Sequence, residues 1–475
     1  MGIQNEIKKD IVQIEKGIAA AESTVETELK KDLGLLGSFS MGFADVGADI
    51  FLALGLIAAY AHGLMPLAIL AASLVYVCSG LAYAELGAAL PFSGGSSSFG
   101  KRAFGDLAGF VAGWGLMLDY TIDIALFAVA STGYLSFFLP QIREEFALVS
   151  AMMILILMLI NLLGIKESSA VNSALTVVVI GIVIILIILG YTTVFSPARF
   201  SAGLTPIEQD PGVNNFLYSI TLAMVAFVGI ESISQGAEET SNPGKVIPRA
   251  TFLSIIFVLL FAISLSVMAL GIVSPKVLSD NIDNPLVPVT RALPFSDILL
   301  PVVAFAGFLI CFVSANTGII GVSRVVYSMS KSGLISSKLN WLHPSFRTPW
   351  ISIVIFSLIA MALAIVGDMV FLGELYAFGA LTAYTMTNLS LVKLRVEEPD
   401  LERPYKIPLN LRIGSAEIPI ISVIGIIGCL AVFVLVALLH TEGRNFALIW
   451  FGAGLLYFLA HRRYGKKARS LPLSG

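Results

Sequence analysis

Apolar residues run through this chain in long continuous blocks separated by short polar segments. A bilayer core about 30 Å thick takes roughly 20 apolar residues per helix. Blocks near 34–61, 65–90, 107–138, 147–164, 172–195, 215–235, 250–273, 297–327, 350–367, 370–393, 418–439 and 445–461 are of that order and predict about twelve spans. Their continuity excludes barrel strands, which alternate apolar and polar positions. The expected fold is an all-α polytopic membrane protein. Residues 1–32 are rich in Lys and Glu, with no apolar stretch before Leu33, and predict a cytoplasmic tail without a cleavable signal peptide.

The first ten spans divide into two stretches of five, 33–197 and 214–396, joined by an extracellular loop at 198–213. A loop and helices 11 and 12 follow over 397–461, then a cytoplasmic tail over 462–475. Because five is odd, the second stretch enters the membrane from the opposite side, which predicts a 5+5 inverted repeat. Each stretch opens on an interrupted span, and paired interruptions point to a transporter's binding site.

The first interruption is Asp45-Val46-Gly47-Ala48-Asp49-Ile50-Phe51, between Gly42 and Gly55; the second is Phe227-Val228-Gly229-Ile230-Glu231-Ser232. Glycine lets the backbone leave helical geometry, and the freed N–H and C=O groups are tolerated at membrane depth only where they face a polar cavity. A half-helix N-terminus suits a carboxylate, and unwound carbonyls suit an ammonium or metal cation. Helices 1 and 6 are thus expected to be broken, with Asp45, Gly47, Ala48, Asp49, Phe227, Gly229, Glu231 and Ser232 as candidate substrate contacts. Gly55, Gly113 and Gly115 read instead as helix-packing glycines.

Composition sharpens the assignment. The chain is 57% hydrophobic and 13% charged, with a mean hydropathy of +0.90, against about 25% charged residues in soluble domains. Its net charge of −3 says little, but the placement of basic residues says more. Only Arg143, Arg199, Lys276, Arg291 and Arg444 of the 29 Lys and Arg fall on the side opposite the tails. Positive-inside reasoning then puts both termini in the cytoplasm of a plasma-membrane, multi-pass protein. Cys78, Cys311 and Cys429 all lie within spans and read as packing residues.

Asp45, Asp49, Asp119, Asp123, Glu231 and Glu374 also fall within spans, where a central charge costs at least ~2.5–3.5 kcal/mol and signals function by default. Asp119 and Asp123 are four apart and share a helix face; their mutual repulsion makes one a candidate proton carrier. The spans offer few bases, chiefly Arg324 towards a cytoplasmic end. An acid-lined cavity favours a cationic substrate, coupling cation or proton. Glu85, near a helix end, reads as a loop anchor.

Several motifs, in order, resemble the amino acid, polyamine and organocation (APC) superfamily over nearly all of residues 33–412. They are Glu85-Leu86-Gly87 with Pro91-Phe92-Ser93-Gly94-Gly95 and Phe104-Gly105; Gly113-Trp114; Gly164-Ile165-Lys166-Glu167-Ser168; Gly229-Ile230-Glu231 with Glu238-Glu239, Asn242-Pro243 and Ile247-Pro248-Arg249; Arg324 with Tyr327-Ser328-Met329, Gly333, His343-Pro344 and Arg347-Thr348-Pro349; and Arg403-Pro404-Tyr405-Lys406-Ile407-Pro408. The resemblance implies the 5+5 inverted-repeat fold, alternating access, and amino acid or polyamine substrates.

It also implies a pathway built from helices 1, 3, 6, 8 and 10, placing Tyr120, Thr121, Ser232, Ser314, Asn316, Thr317, Tyr376 and Tyr384 along it. Ser314 and Thr317 become candidate Na⁺ ligands, and Phe227 a candidate hydrophobic gate. Two positions depart from the family pattern: Asp49 replaces the second glycine of the first helix, and Val179 stands where many proton-coupled members carry lysine.

The leading expectation is a secondary active transporter of an amine or amino acid, cationic ones favoured, coupled to H⁺ or to exchange. Asp119, Asp123, Ser314, Thr317 and Glu374 are its candidate ion- or proton-coupling residues. A K⁺ or other inorganic-cation transporter and a receptor or scaffold without transport remain open alternatives. No His-Glu-x-x-His zinc pattern occurs and no Thr-Val-Gly-Tyr-Gly filter. No catalytic residue, cofactor, resident metal or nucleic-acid partner is assigned; the lipid bilayer is the expected solvent.

Overall fold

The predicted blocks form helices at Leu35–Ala61, Met65–Ala89, Asp106–Leu135, Phe146–Leu162, Ser169–Leu189, Val213–Ala223 continued by Glu231–Gln235, Pro243–Ile272, Ser296–Lys331, Trp350–Val366, Met369–Glu397, Ile420–Leu439 and Thr441–Arg469. These are called the first to twelfth spans below. The computed structural model describes residues 33–164, 169–204, 210–346, 348–366, 368–414 and 416–469. The tail 1–32, the motif residues Ile165-Lys166-Glu167-Ser168 and Arg347, and the last six residues lie outside the described residues.

Among the described residues, nine helical stretches are long and apolar enough to cross a membrane, and Phe146–Leu162 and Trp350–Val366 are shorter apolar helices. One of the nine, Leu35–Ala89, holds 55 residues, about 80 Å if straight, too long for one crossing. It divides at His62, whose φ of 47° ends the first span, and Pro66 helps start the second. The chain is therefore an almost wholly helical, multi-pass membrane protein. Its one described strand pair is the antiparallel hairpin Asn410–Ile413 with Ala416–Pro419, just before the eleventh span.

Burial separates core from periphery. Of the most apolar window of the third span 89% is buried, against 28% for the eleventh and 22% for the twelfth. The third span lies against the eighth and tenth, the second against the seventh, the fourth against the ninth, and the first against the sixth and seventh. A short helix, Gly95–Phe104, fills the corner between the second and third spans. The small residues there serve close approach: a Cβ on Gly113 would meet Met329, and one on Gly115 would lie 2.9 Å from Thr382.

The structure corrects one expectation: the first span is not broken. It is α-helical from Leu35 to Ala61, through Gly47-Ala48-Asp49. Glycine permits a break without imposing one. Gly47 is occupied by the Phe43 ring of its own helix, 2.9 Å from where a Cβ would stand, and Asp45 finds side-chain donors on neighbouring spans, so no backbone group has to be released. The sixth span does break. After Val213–Ala223 comes one 3₁₀ turn, Met224–Phe227, then extended Val228, then Gly229 at φ 112°, which no α-helix accommodates.

Candidate functional site

Gly229 sets the geometry of the site. A Cβ there would lie 2.5 Å from the Cβ of Asp45, so the sixth span can turn against the first only with glycine at this position. The turn redirects the backbone: the Gly229 N–H donates to Glu231 Oε2 at 3.2 Å, and the Phe227 carbonyl accepts from the Tyr384 hydroxyl at 2.8 Å. Tyr384 also stands 3.3 Å from Glu231 Oε2. The break thus holds Glu231 and Tyr384.

Around it the first, third, sixth, eighth and tenth spans bring acids together. Asp45 accepts from Ser232 Oγ at 2.7 Å and from Ser314 Oγ at 3.3 Å. Tyr120 Oη lies 3.3 Å from Ser232 Oγ. Tyr376 donates to Asp123 Oδ1 at 2.9 Å. Asp119 lies in the field of Glu231 and Asp123. Asp49 is fully buried with neither oxygen hydrogen-bonded, and it lies in the field of Asp123, Asp45, Asp119 and Glu231. Asp123 Oδ2 and the Tyr76 hydroxyl are likewise buried without a hydrogen-bond partner among the described residues. None of Asp49, Asp119, Asp123 and Glu231 pairs there with a Lys, Arg or His. A buried cluster of this kind is tolerable only if protons or a bound cation offset its charge.

The other sequence candidates divide. Phe227 is buried with its ring 5.2 Å from that of Tyr76, between backbone break and second span. Gly47 and Ala48 lie inside a continuous helix. Thr317 donates to the Val313 carbonyl of its own helix at 3.1 Å, whereas Ser314 reaches Asp45. Asn316 accepts from Asn161 at 2.5 Å. Glu374 stands apart from the acid cluster: it accepts from the Tyr218 hydroxyl and, at 3.0 Å, from the Gly443 N–H, on the wall of a separate cavity of about 460 Å³. Tyr76 escaped the sequence reading, although its spacing of seven from Tyr83 places both on one face of the second span.

At the other end of the sixth span the acidic motif residues are closed down. Glu239 pairs with Arg324 at 2.9 Å, and Glu238 accepts from the Ser93 N–H at 2.9 Å. Leu33 and Thr240 form a β-bridge, tying the start of the first span to the exit of the sixth. Glu85 is a buried anchor: Arg395 donates to both its oxygens at 2.6 Å, and the Ile407 N–H adds a third bond at 2.8 Å. Arg395 had been missed because the helix runs four residues beyond the predicted end of the tenth span. Outside the spans, the hydrogen bond from Arg102 holds the Glu398 carboxyl below its usual range, and burial pushes the His440 imidazole down to about 4.

Comparison with known proteins agrees with this architecture. The family model described as amino acid permease matches residues 33–459. The branched-chain amino acid permease BcaP of Bacillus subtilis is 26% identical over 468 residues, 94% of this chain and 96% of the relative. The low-affinity putrescine importer PlaP of Escherichia coli is 27% identical over 388 residues, covering 78% and 82% of the two chains. The mouse cationic amino acid transporter 4 is 26% identical over 414 residues, 79% of this chain and 62% of the relative.

Proposed function

The chain belongs to the amino acid permease family, and on that premise we propose that it is a secondary active transporter of a cationic amino acid or polyamine, working by alternating access in exchange with protons. The observation that carries the reading is the buried set Asp49, Asp119, Asp123 and Glu231, packed with Asp45 and unpaired with any base among the described residues. An ammonium or guanidinium entering that space gains carboxylate partners and tyrosine faces. Relatives named for putrescine and for cationic amino acids accord with this choice; a relative named for branched-chain substrates makes a neutral amino acid the competing outcome.

The exchange follows from charge balance. With the cluster empty, protons offset its charge; when a cation binds, those protons are free to leave on the side to which the site opens. Cation and proton then compete for one set of carboxyls, and neither needs the lysine that Val179 replaces. We place spans one to five and six to ten in an inverted repeat, a reading supported by the packing of like-numbered spans: second on seventh, third on eighth, fourth on ninth, first on sixth. The basic-residue asymmetry supports placing the termini in the cytoplasm, and with them the end of the molecule where Arg324 pairs with Glu239.

Uptake of labelled lysine, putrescine and leucine into proteoliposomes under an imposed pH gradient tests the reading. Lysine or putrescine should accumulate with counterflow of protons, and Asp45→Asn should abolish accumulation while keeping the fold, since the amide oxygen still accepts from one of Ser232 and Ser314 and the amide NH2 can donate to the hydroxyl oxygen of the other. Uptake of leucine alone, uncompeted by amines, would refute the cationic assignment. A second reading, inorganic cation transport, draws on the hydroxyls of Ser232 and Ser314 converging on Asp45; K⁺-selective uptake, lost in Asp45→Asn and indifferent to amino acids, would establish it instead.

A further inference from the structure

The cavity that Glu374 lines is separate from the five-acid core and of a size, about 460 Å³, that holds small-molecule ligands. It opens where the first span ends, the sixth and tenth begin, and the eleventh passes into the twelfth. Asp368, which also caps the tenth span through the Val370 and Phe371 N–H groups, Glu374 and Glu442 contribute carboxyls, Tyr60 and Tyr218 contribute rings with centroids 4.4 Å apart, and among the described residues no Lys or Arg lines it. Arg444, the nearest base along the twelfth span, is turned away to the Ala437 carbonyl at 2.9 Å.

Behind the wall lies a buried polar group with unused capacity. His440 is fully buried; its Nε2 meets Thr221 Oγ1 at 2.5 Å, while Nδ1 has no hydrogen-bond partner and faces Glu374 Oε1 at 4.0 Å. Glu374 itself is fixed by Tyr218 and Gly443 with its carboxyl at the cavity wall. Carboxylates lining one hollow without a base repel one another, and a small cation relieves that repulsion while the aromatic faces favour an organic one.

The geometry points to a second, outer binding site for a primary ammonium at this cavity, occupied before the cation passes to the core. Two positions further along the same helix, Tyr376 holds Asp123 of the core cluster, so the two acid sets lie in series along the tenth span. The site takes the same ligand class as the core and rests on the reading of the protein as an amine transporter with its termini in the cytoplasm.

A cysteine placed at Thr441, exposed on the cavity rim, gives a direct readout, because Cys78, Cys311 and Cys429 are buried. Full-length Thr441→Cys protein in proteoliposomes is labelled with a cationic methanethiosulfonate reagent, with and without 1,4-diaminobutane. At about four times the dissociation constant, occupancy should slow labelling about fivefold by mass action, and equally so in an Asp45→Asn background. Glu442→Gln, on the exposed rim and outside the core, should weaken protection about three- to fivefold and raise KM for external diamine without lowering the maximal rate. Protection that disappears with Asp45→Asn, or labelling that diamine never slows, overturns the outer site. Failure of the transport reading shows separately, as absent diamine uptake in the unsubstituted protein.

Discussion

At the scale of single residues, the same chemistry serves opposite ends depending on whether a partner is supplied. Glu85 is as buried as Asp49, yet it receives both Arg395 nitrogens and a backbone N–H, while Asp49 receives nothing. Deleting one member of a buried, hydrogen-bonded ion pair leaves the other desolvated, at about 3–5 kcal/mol. Glu85→Ala should therefore lower the thermal midpoint of the purified protein sharply, with Glu85→Gln intermediate, whereas Asp49→Asn should leave the midpoint unchanged or raise it. A midpoint of Glu85→Ala matching the parent protein would contradict the anchor role. The motif around Glu85 was legible in sequence, and its reading as an anchor holds; its partner was not, since nothing local ties position 85 to position 395.

Elements show where pattern and packing part. Both interrupted segments carry glycine beside an acid, but only the sixth span breaks, because Gly229 adopts a positive φ and faces Asp45 while Gly47 stays helical against Phe43. Peripheral spans need their own fastening. The twelfth span, mostly exposed, is clipped to the third by a reciprocal pair: Trp114 Nε1 donates to the Trp450 carbonyl at 2.9 Å and Trp450 Nε1 to the Trp114 carbonyl at 3.1 Å. The rings lie 5.2 Å apart, and Gly454 makes room for the Trp114 indole. Interhelical hydrogen bonds in membranes are worth about 0.6–1.7 kcal/mol each. Trp114→Phe and Trp450→Phe should each cost about 1 kcal/mol and nearly add in the double variant, because each indole donates to a backbone carbonyl that the other substitution leaves in place; an unchanged thermal midpoint in either single variant would contradict the clip.

For the whole molecule, pH acts through groups that folding removes from water. His440, between the eleventh and twelfth spans, is packed against Thr221 and Tyr218 of the sixth and faces Glu374 of the tenth. Burial lowers its pKa from 6.5 to about 4, so the folded protein binds fewer protons there than the unfolded chain. The associated stability is complete above the unfolded value and is lost as pH falls towards 4, by up to about 3 kcal/mol. Thermal midpoints of parent and His440→Gln proteins should thus converge between pH 6.5 and 4.5, the parent falling faster; parallel curves would remove His440 from the acid response.

The sequence by itself determined the solvent, the number of spans and their limits to within eight residues, and the family. Each of these follows from apolar run length or from motifs contiguous along the chain, which a bilayer some 30 Å thick converts directly into helices. It also gathered the acids, because a charge inside an apolar run is conspicuous wherever it points. Tertiary structure alone decided which of those acids meet. It put Asp45, Asp49, Asp119, Asp123 and Glu231 into one core, sent Glu374 to a second cavity, and left the first helix whole. The meeting of the acids rests on contacts between residues far apart in the chain, Asp45 with Ser232 and Ser314, Asp123 with Tyr376, and Glu374 with Tyr218 and Gly443, where a glycine's clearance or a serine's reach across a helix interface outweighs the local preference of either segment.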